Sequence, residues 1–248
     1  MATPSLLLLL ADGRFPAGAH AHSGGLEAAV AAGRVTDLAS LEAFLAGRLA
    51  TAGLVGAAFA AAAHRAAVAE TVGSAHPARS ARPSDAPAGS AGRSGALARL
   101  DAELDARTAA PALRAVSRRQ GRALLRAGRT IWPDAPFADL PATPGGAHQP
   151  LVLGLLCAAA GLSRVETATI AAYGTLTGAA SAGVRLLGLD PYQVQALLVG
   201  LADACDGTAA DAARAADDPP ERLPAAAAPL ADIHAEIHAT WEVRLFAS

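Results

Sequence analysis

Leucine and alanine recur along most of the chain at the three- and four-residue spacing of an α-helix. The spacing is clear in four leucines near the N-terminus, Leu38, Leu41, Leu45 and Leu49. No useful length of sequence alternates apolar and polar residues with period two, the pattern of a half-buried strand. Alanine and leucine favour helices, and only 4% of the residues are aromatic, which is low for a sheet protein. We therefore predict an all-α fold, a single globular bundle of about ten helices without a sheet.

Capping residues and helix breakers set the predicted helix boundaries. Ser23 and Asp37 are candidate N-caps, Ser163 with Glu166 has the pattern of a capping box, and Pro111 suits the first position of a helix. The segment that contains Leu38–Leu49 and the one that follows it are expected to pack as a hairpin. The main predicted helices are residues 6–11, 26–32, 54–70, 111–131, 151–160, 165–187, 191–205 and 229–246.

One segment breaks the helical pattern. Residues 73–95 mix Ser, Pro, Ala, Arg and Gly and contain no large apolar side chain. Such a segment can bury too little surface to offset the entropy lost on ordering. We therefore predict one domain over residues 1–248, with a flexible insertion at residues 73–95.

The composition excludes several classes of enzyme. The chain has no lysine, so it has no Schiff-base or pyridoxal phosphate chemistry and no P-loop of its own. Cys157 and Cys205 lie far apart without metal-site spacing and are interpreted as buried, reduced thiols. A net charge of −2 gives no general attraction to nucleic acid or to an anionic membrane.

An uncharged stretch, residues 167–184, lies between Glu166 and Arg185 and is just long enough to span a membrane. It consists mainly of small and hydroxyl-bearing residues, which contribute little of the transfer energy that insertion needs. The apolar run at residues 6–11 is too short for a signal peptide and follows no positive charge. We predict no membrane span and a cytoplasmic location.

Two groups of histidines are candidate metal ligands. His234, His238 and Glu242 lie four residues apart on a predicted helix, which makes a small helical metal-dependent hydrolase the alternative function. Glu236 faces away from them, and the favoured interpretation is a solvated or interface face. His20 and His22 alternate in a loop and are candidates for a transient nickel contact, although two backbone-bonded histidines are the simpler interpretation.

Arginines recur every four residues at positions 114, 118, 122 and 126. Like charges at this spacing repel one another on an isolated helix. Either scattered carboxylates compensate them on a solvated face, or the stripe docks against an acidic partner. A second pattern, Gly174 to Gly178 with Gly183 beyond it, is a small-residue strip that would let another helix approach closely.

Four motifs, in order, resemble the UreF family of urease accessory proteins. Residues 10–27, LADGRFPAGAHAHSGGLE, resemble the N-terminal signature of the family, although AHAH departs from its commoner Phe-Ser-Tyr version. Residues 117–121, SRRQG, resemble its central helix. Tyr173 followed by SAGVRL at residues 181–186 resembles its serine-rich helix, and RLFAS at residues 244–248 resembles its C-terminus. The match covers essentially the whole chain except residues 73–95.

The resemblance implies a non-catalytic helical protein that forms a homodimer and has no resident cofactor. It would join the accessory protein UreD (also called UreH) to the GTPase UreG and help insert nickel into apo-urease in a GTP-dependent step. The C-terminal helix is expected to expose its apolar residues for partner contact. The expected partner-binding residues are Arg118, Arg122, Tyr173, Arg185, Trp241, Arg244, Leu245 and Phe246.

Overall fold

Eleven α-helices make up most of the regular structure in residues 4–16, 21–69 and 88–246, the parts that the computed structural model describes. These residues contain no strand, which confirms the all-α prediction. The helices are α1 (Pro4–Ala11), α2 (Leu26–Ala31), α3 (Leu38–Arg48), α4 (Leu54–Val68), α5 (Ala88–Arg107), α6 (Pro111–Ile131), α7 (Gln149–Ala159), α8 (Arg164–Leu187), α9 (Pro191–Gly200), α10 (Ala202–Ala215) and α11 (Pro229–Ala239).

A π-helical turn, Leu49–Gly53, joins α3 to α4, so that Leu38–Val68 is one continuous helix of 31 residues. The predicted hairpin at this place is wrong. The segment contains no proline and no glycine with a positive φ, so nothing in it reverses the chain. Because α3 and α4 form one rod, the described residues contain ten separate α-helical rods, as predicted.

The rod Leu38–Val68 forms the centre of the fold. By length and composition it is also the one described helix that could cross a membrane. However, residues 57–63 are all buried, and α4 packs against α7, α8 and α10. Helices that enclose an apolar helix on several sides bury its apolar surface within the protein. We therefore interpret this rod as the core helix of the fold.

Close helix packing in the core depends on small residues. A Cβ atom on Gly154 of α7 would lie 2.4 Å from the carbonyl oxygen of Ala60 on α4. No real Cβ atom fits at that distance, so only glycine lets the two helices come this close. Phe59, Leu151 and Leu155 fill the neighbouring core and are fully buried. The many alanines of α4 are thus explained by a tight helix interface.

Most predicted helix ends are confirmed, but the N-cap of α2 is Gly25 and not Ser23. Asp37 caps α3 through the backbone N–H of Ser40, and Ser163 and Glu166 form the capping box that starts α8. Pro111 is the first residue of α6. The helix predicted over residues 191–205 is instead divided into α9 and α10 at Leu201, directly after Gly200, a weak helix former.

The insertion predicted at residues 73–95 is corrected at its C-terminal end, because α5 already begins at Ala88. Ser90 and Ser94 donate hydrogen bonds to the Asp139 carboxylate at 2.9 and 3.1 Å, and Arg93 pairs with the same group. Polar anchoring thus orders a segment that has no large apolar side chain to bury. The remainder of the predicted insertion, residues 73–87, lies outside the described residues.

Candidate partner-binding surfaces

Helix α11 ends at Ala239, and residues 241–246, called the tail below, turn back onto the protein. The Glu27 carboxylate of α2 holds the tail. It accepts hydrogen bonds from the backbone N–H groups of Leu245 at 2.8 Å and Phe246 at 3.1 Å. It is also 2.9 Å from Nε2 of His238 on α11. One buried carboxylate therefore joins α2, α11 and the tail.

The environment of Glu27 favours its ionised form. Burial alone would raise the pKa of this carboxyl, but the hydrogen bonds from Leu245, His238 and Phe246 outweigh that effect. The pKa of Glu27 is therefore lowered from its ordinary value. At neutral pH the tail is held by a charged acceptor, which makes stronger hydrogen bonds than a neutral one.

The tail divides into a buried and an exposed part. Phe246 is only 4% exposed, and the guanidinium carbon of Arg185 lies 4.7 Å from the centre of its ring. In contrast, Leu245 is 68% exposed and Val243 86% exposed, and Arg244 is also exposed. Trp241 is half-buried, with its ring centre 4.8 Å from that of His238. The expectation that Phe246 is displayed for a partner is wrong, because this ring belongs to the core.

The predicted metal stripe of His234, His238 and Glu242 is not formed. His238 is buried and bonded to Glu27, and Glu242 lies beyond the end of α11. The sequence favoured one helix to residue 246, but the chain leaves the helix seven residues earlier. Among the described residues, no group of three or more His, Cys, Asp or Glu side chains could hold a metal ion. The geometry that the hydrolase alternative requires is therefore missing.

The arginines of α6 divide between the interior and the surface. Arg118 is ion-paired with Asp101 at 3.0 Å and with Asp105 at 2.8 Å, both on α5. It also donates to the carbonyl oxygen of Gly146 at 2.6 Å. Burial lowers the pKa of Arg118, but its bonds to the two aspartates outweigh burial and raise it. Arg118 thus connects α5, α6 and the loop before α7, and we omit it from the partner surface proposed below.

His148 completes the polar cluster around Arg118. Its Nε2 lies 3.1 Å from Asp105 Oδ1, and its Nδ1 lies 3.0 Å from Ser117 Oγ. Ser117 Oγ also accepts the backbone N–H of Gln149 at 3.3 Å. The Asp105–His148–Ser117 order is that of a catalytic triad, but His148 is fully buried. These bonds connect α7 to α5 and α6, so we assign the cluster a structural role.

Four further arginines of α6 are exposed, namely Arg119, Arg122, Arg126 and Arg129. Among the described residues none of the four has an ion pair, although Arg122 donates to the carbonyl oxygen of Gly145. Spaced three or four residues apart, they lie on one side of the helix. An exposed row of arginines suits carboxylates of a partner surface, which guanidinium groups bind in a bidentate manner.

A cleft of about 1180 Å³ runs along α8, with walls from α1 and α9. Tyr173 lines it and is 43% exposed, and Arg185 lies further along the same helix. Gly174 and Gly178 also line it, so the small-residue strip faces a cleft at which α8 remains accessible. The structure therefore places Tyr173 and Arg185 along one accessible surface of α8.

The histidines proposed as a nickel contact are only partly described. His22 is half-buried and lines the same cleft, whereas His20 lies outside the described residues. The two cysteines are free and buried, as interpreted from the sequence. Burial raises the pKa of Cys157 to about 12, which keeps this thiol protonated and unreactive.

Sequence reasoning missed the role of Glu27. The residue was part of the N-terminal motif, but nothing in the motif indicates that its carboxylate binds the C-terminal tail. A signal was present, since Glu27 is a charged residue on the buried face of α2, next to Leu26 and Ala28. A buried carboxylate requires hydrogen-bond donors, but the sequence does not say which segment supplies them.

Comparison with known proteins identifies the family of this chain. Residues 35–202 match the family model for UreF. The chain is 42% identical over its full length to the urease accessory proteins UreF of Mycolicibacterium vanbaalenii and Mycobacterium marinum, with all of each relative covered. It is 41% identical to that of Mycobacterium tuberculosis H37Rv over 212 residues, 86% of each chain. The chain therefore belongs to the UreF family of urease accessory proteins, which has a general role in urease maturation.

Proposed function

We propose that this chain is a non-catalytic adaptor of urease maturation. It joins UreD (UreH) to the GTPase UreG, so that nickel is inserted into apo-urease in a GTP-dependent step. The absence of lysine supports a role for a separate GTPase. Without lysine the chain has no P-loop, so another protein must hydrolyse GTP. Nickel is the cargo of this assembly, and its work takes place in the cytoplasm.

One observation carries the proposal, namely the display of the tail. Glu27 fixes the backbone of Leu245 and Phe246, while the side chains of Val243, Arg244 and Leu245 extend into solvent. Large exposed apolar side chains on an ordered segment are typical of a binding site. Because the segment is already ordered, a partner that binds it loses less conformational entropy. We propose that UreD binds this surface.

Two further surfaces support an adaptor with several partners. The α8 surface with Tyr173 and Arg185 is proposed as the homodimer contact, since its glycines allow close helix approach. The exposed arginines of α6, which include Arg122, are proposed to bind an acidic face of UreG or urease. The three surfaces involve different residues, so one chain can hold more than one partner at a time.

A transient nickel contact through His20 and His22 is a separate part of the proposal. Two imidazoles bind nickel weakly, which suits transfer rather than storage. If they assist transfer, the change of both to alanine slows urease activation in nickel-limited cells and leaves the assembled complex intact. Normal activation of a stable double variant at low nickel would contradict this role.

The adaptor proposal is tested by capture of purified UreD on the immobilised full chain. We expect Leu245→Ser combined with Arg244→Ser to abolish capture while the far-UV circular dichroism and Tm stay unchanged. Val199→Ser is the matched control, because Val199 is 76% exposed and lies on α9, away from the tail. Equal capture by the double variant and the wild type would refute the role of the tail.

A further inference from the structure

Arg48, at the junction of α3 and the π-helical turn, has no acidic partner. Its Nη1 donates to the carbonyl oxygen of Gly24, and its Nε is buried without any hydrogen bond. Among the described residues, no carboxylate lies within 4 Å of its guanidinium. A Cβ atom on Gly24 would lie 2.8 Å from the guanidinium carbon, so the guanidinium is in close contact with the loop before α2.

The other partly buried arginines in the part of the chain that the structure describes are compensated. Arg118 is paired with Asp101 and Asp105, and Arg93 with Asp139. Arg107 also has an unbonded Nε, but its other nitrogens reach Glu103 and three backbone carbonyls. Arg48 is the exception among them. Burial with no charged neighbour lowers the pKa of Arg48 to about 10.

The uncompensated charge borders the cleft along α8. The charged residues that line this cleft are Arg14, Arg48, Arg185 and Asp12. Asp12 is already 3.4 Å from Arg14 and is thus engaged. The cleft therefore has three positive charges and one negative, although the whole chain has a net charge of −2. A cleft with an excess of positive charge and low-dielectric walls concentrates anions.

We propose that Arg48 and this cleft form an anion site that takes a carboxylate. A partly buried cation without a counter-charge loses hydration that one hydrogen bond to a carbonyl restores only in part, and an anion beside it would restore the rest. The guanidinium of Arg48, partly buried and without an acid among the described residues, matches one carboxylate in charge and shape. The nearby walls contain Leu7, Leu8 and Val184, which suit the apolar carrier of a carboxylate better than a highly charged phosphate.

The carboxylate can belong to a small molecule or to an acidic side chain of a second copy of this chain. The probe for both is sodium acetate. The full chain is melted in acetate and in chloride of equal ionic strength, and its sedimentation is measured in the same two buffers. The variants are Arg48→Met, Arg48→Lys and Arg34→Met, the last an exposed arginine outside the cleft.

We expect acetate to raise the Tm of the wild type saturably, by about 3 °C at roughly ten times its dissociation constant. Arg34→Met should show the same rise, Arg48→Lys a smaller one and Arg48→Met none. If acetate instead dissociates a self-associated wild type, the carboxylate belongs to a second copy. Arg48→Lys keeps the charge and provides the comparison if Arg48→Met does not fold. Identical acetate responses in the wild type and the Arg48 variants, by melting and by sedimentation, would overturn the proposal.

Discussion

The carboxylate of Glu27 accepts a hydrogen bond from the backbone N–H of Leu245, 218 residues further along the chain. The bond involves the backbone of Leu245, so the side chain of this residue stays free and points to solvent. The same carboxylate binds the next amide, that of Phe246, whose ring packs in the core. The N-terminal motif and the C-terminal motif of the sequence are therefore two halves of one structural feature.

The first prediction concerns Glu27→Gln. The neutral amide keeps the shape but loses the charged acceptor, so the tail should loosen and the free energy of unfolding should fall by about 2 kcal/mol. Hydrogen exchange at the amides of Leu245 and Phe246 should accelerate, while far-UV circular dichroism stays unchanged. Glu42→Gln, at an exposed carboxylate of α3, is the control and should alter neither quantity. Unchanged protection of both amides would show that Glu27 does not hold the tail.

The second prediction is a pH dependence of the same contact. The pKa of Glu27 is lower in the folded chain than its ordinary value of 4.5. Its stabilising contribution is therefore fully present above 4.5 and is lost as the pH falls through the folded pKa. The difference in unfolding free energy between wild type and Glu27→Gln should be constant near neutral pH and shrink in acid. Denaturation at several pH values measures it, and a difference that grows in acid would contradict the assignment.

The third prediction separates the two neighbouring residues of the tail. Phe246→Ala removes a buried ring and should lower the free energy of unfolding by about 3 kcal/mol. Leu245→Ala removes an exposed side chain and should leave stability within about 0.5 kcal/mol of wild type. Binding to UreD should show the opposite order. Leu245→Ala should weaken the binding although this variant is as stable as the wild type. Chemical denaturation and a binding titration of each variant provide the two measurements.

The fold was largely predictable because its signals are local. Helical spacing and capping residues such as Asp37 and Ser163 act within a few residues, so they can be read from the sequence alone. The course of the chain between helices is less predictable from the sequence. The segment Leu49–Gly53 contains no proline but does contain Gly53, and only the backbone shows that this glycine continues the helix instead of ending it.

The candidate site was less predictable because it depends on contacts between distant segments. The sequence shows that Arg114 and Arg118 are four residues apart, but not that α5 places Asp101 and Asp105 beside Arg118. Likewise, Phe246 lies beyond the last helix, and a residue there is expected to be exposed unless something holds the tail. The carboxylate of Glu27, a residue near the N-terminus, binds the backbone of the tail.

The fourth prediction concerns the start of α5. Replacement of residues 73–87 by a short Gly/Ser linker should leave the Tm and urease activation unchanged, because this segment has no large apolar side chain. Extension of the replacement through residue 95 removes Ser90, Arg93 and Ser94, and leaves the buried carboxylate of Asp139 without these donors. The unfolding free energy should then fall by about 2 kcal/mol. Equal stability of the two linker variants would show that the contacts to Asp139 contribute nothing measurable.

The fifth prediction compares two arginines of α6 that are four residues apart. Arg118→Ala removes the partner of the buried Asp101 and should lower the unfolding free energy by about 3 kcal/mol, because a buried charge left unpaired is costly. Arg122→Ala changes an exposed side chain and should alter stability by less than about 0.5 kcal/mol. Urea denaturation of the full chain measures both. Capture of an acidic partner should show the reverse order. Arg122→Ala should reduce capture, whereas the folded fraction of Arg118→Ala should be captured like the wild type. Similar stability losses in the two variants would mean that Arg118 and Arg122 do not differ in structural role.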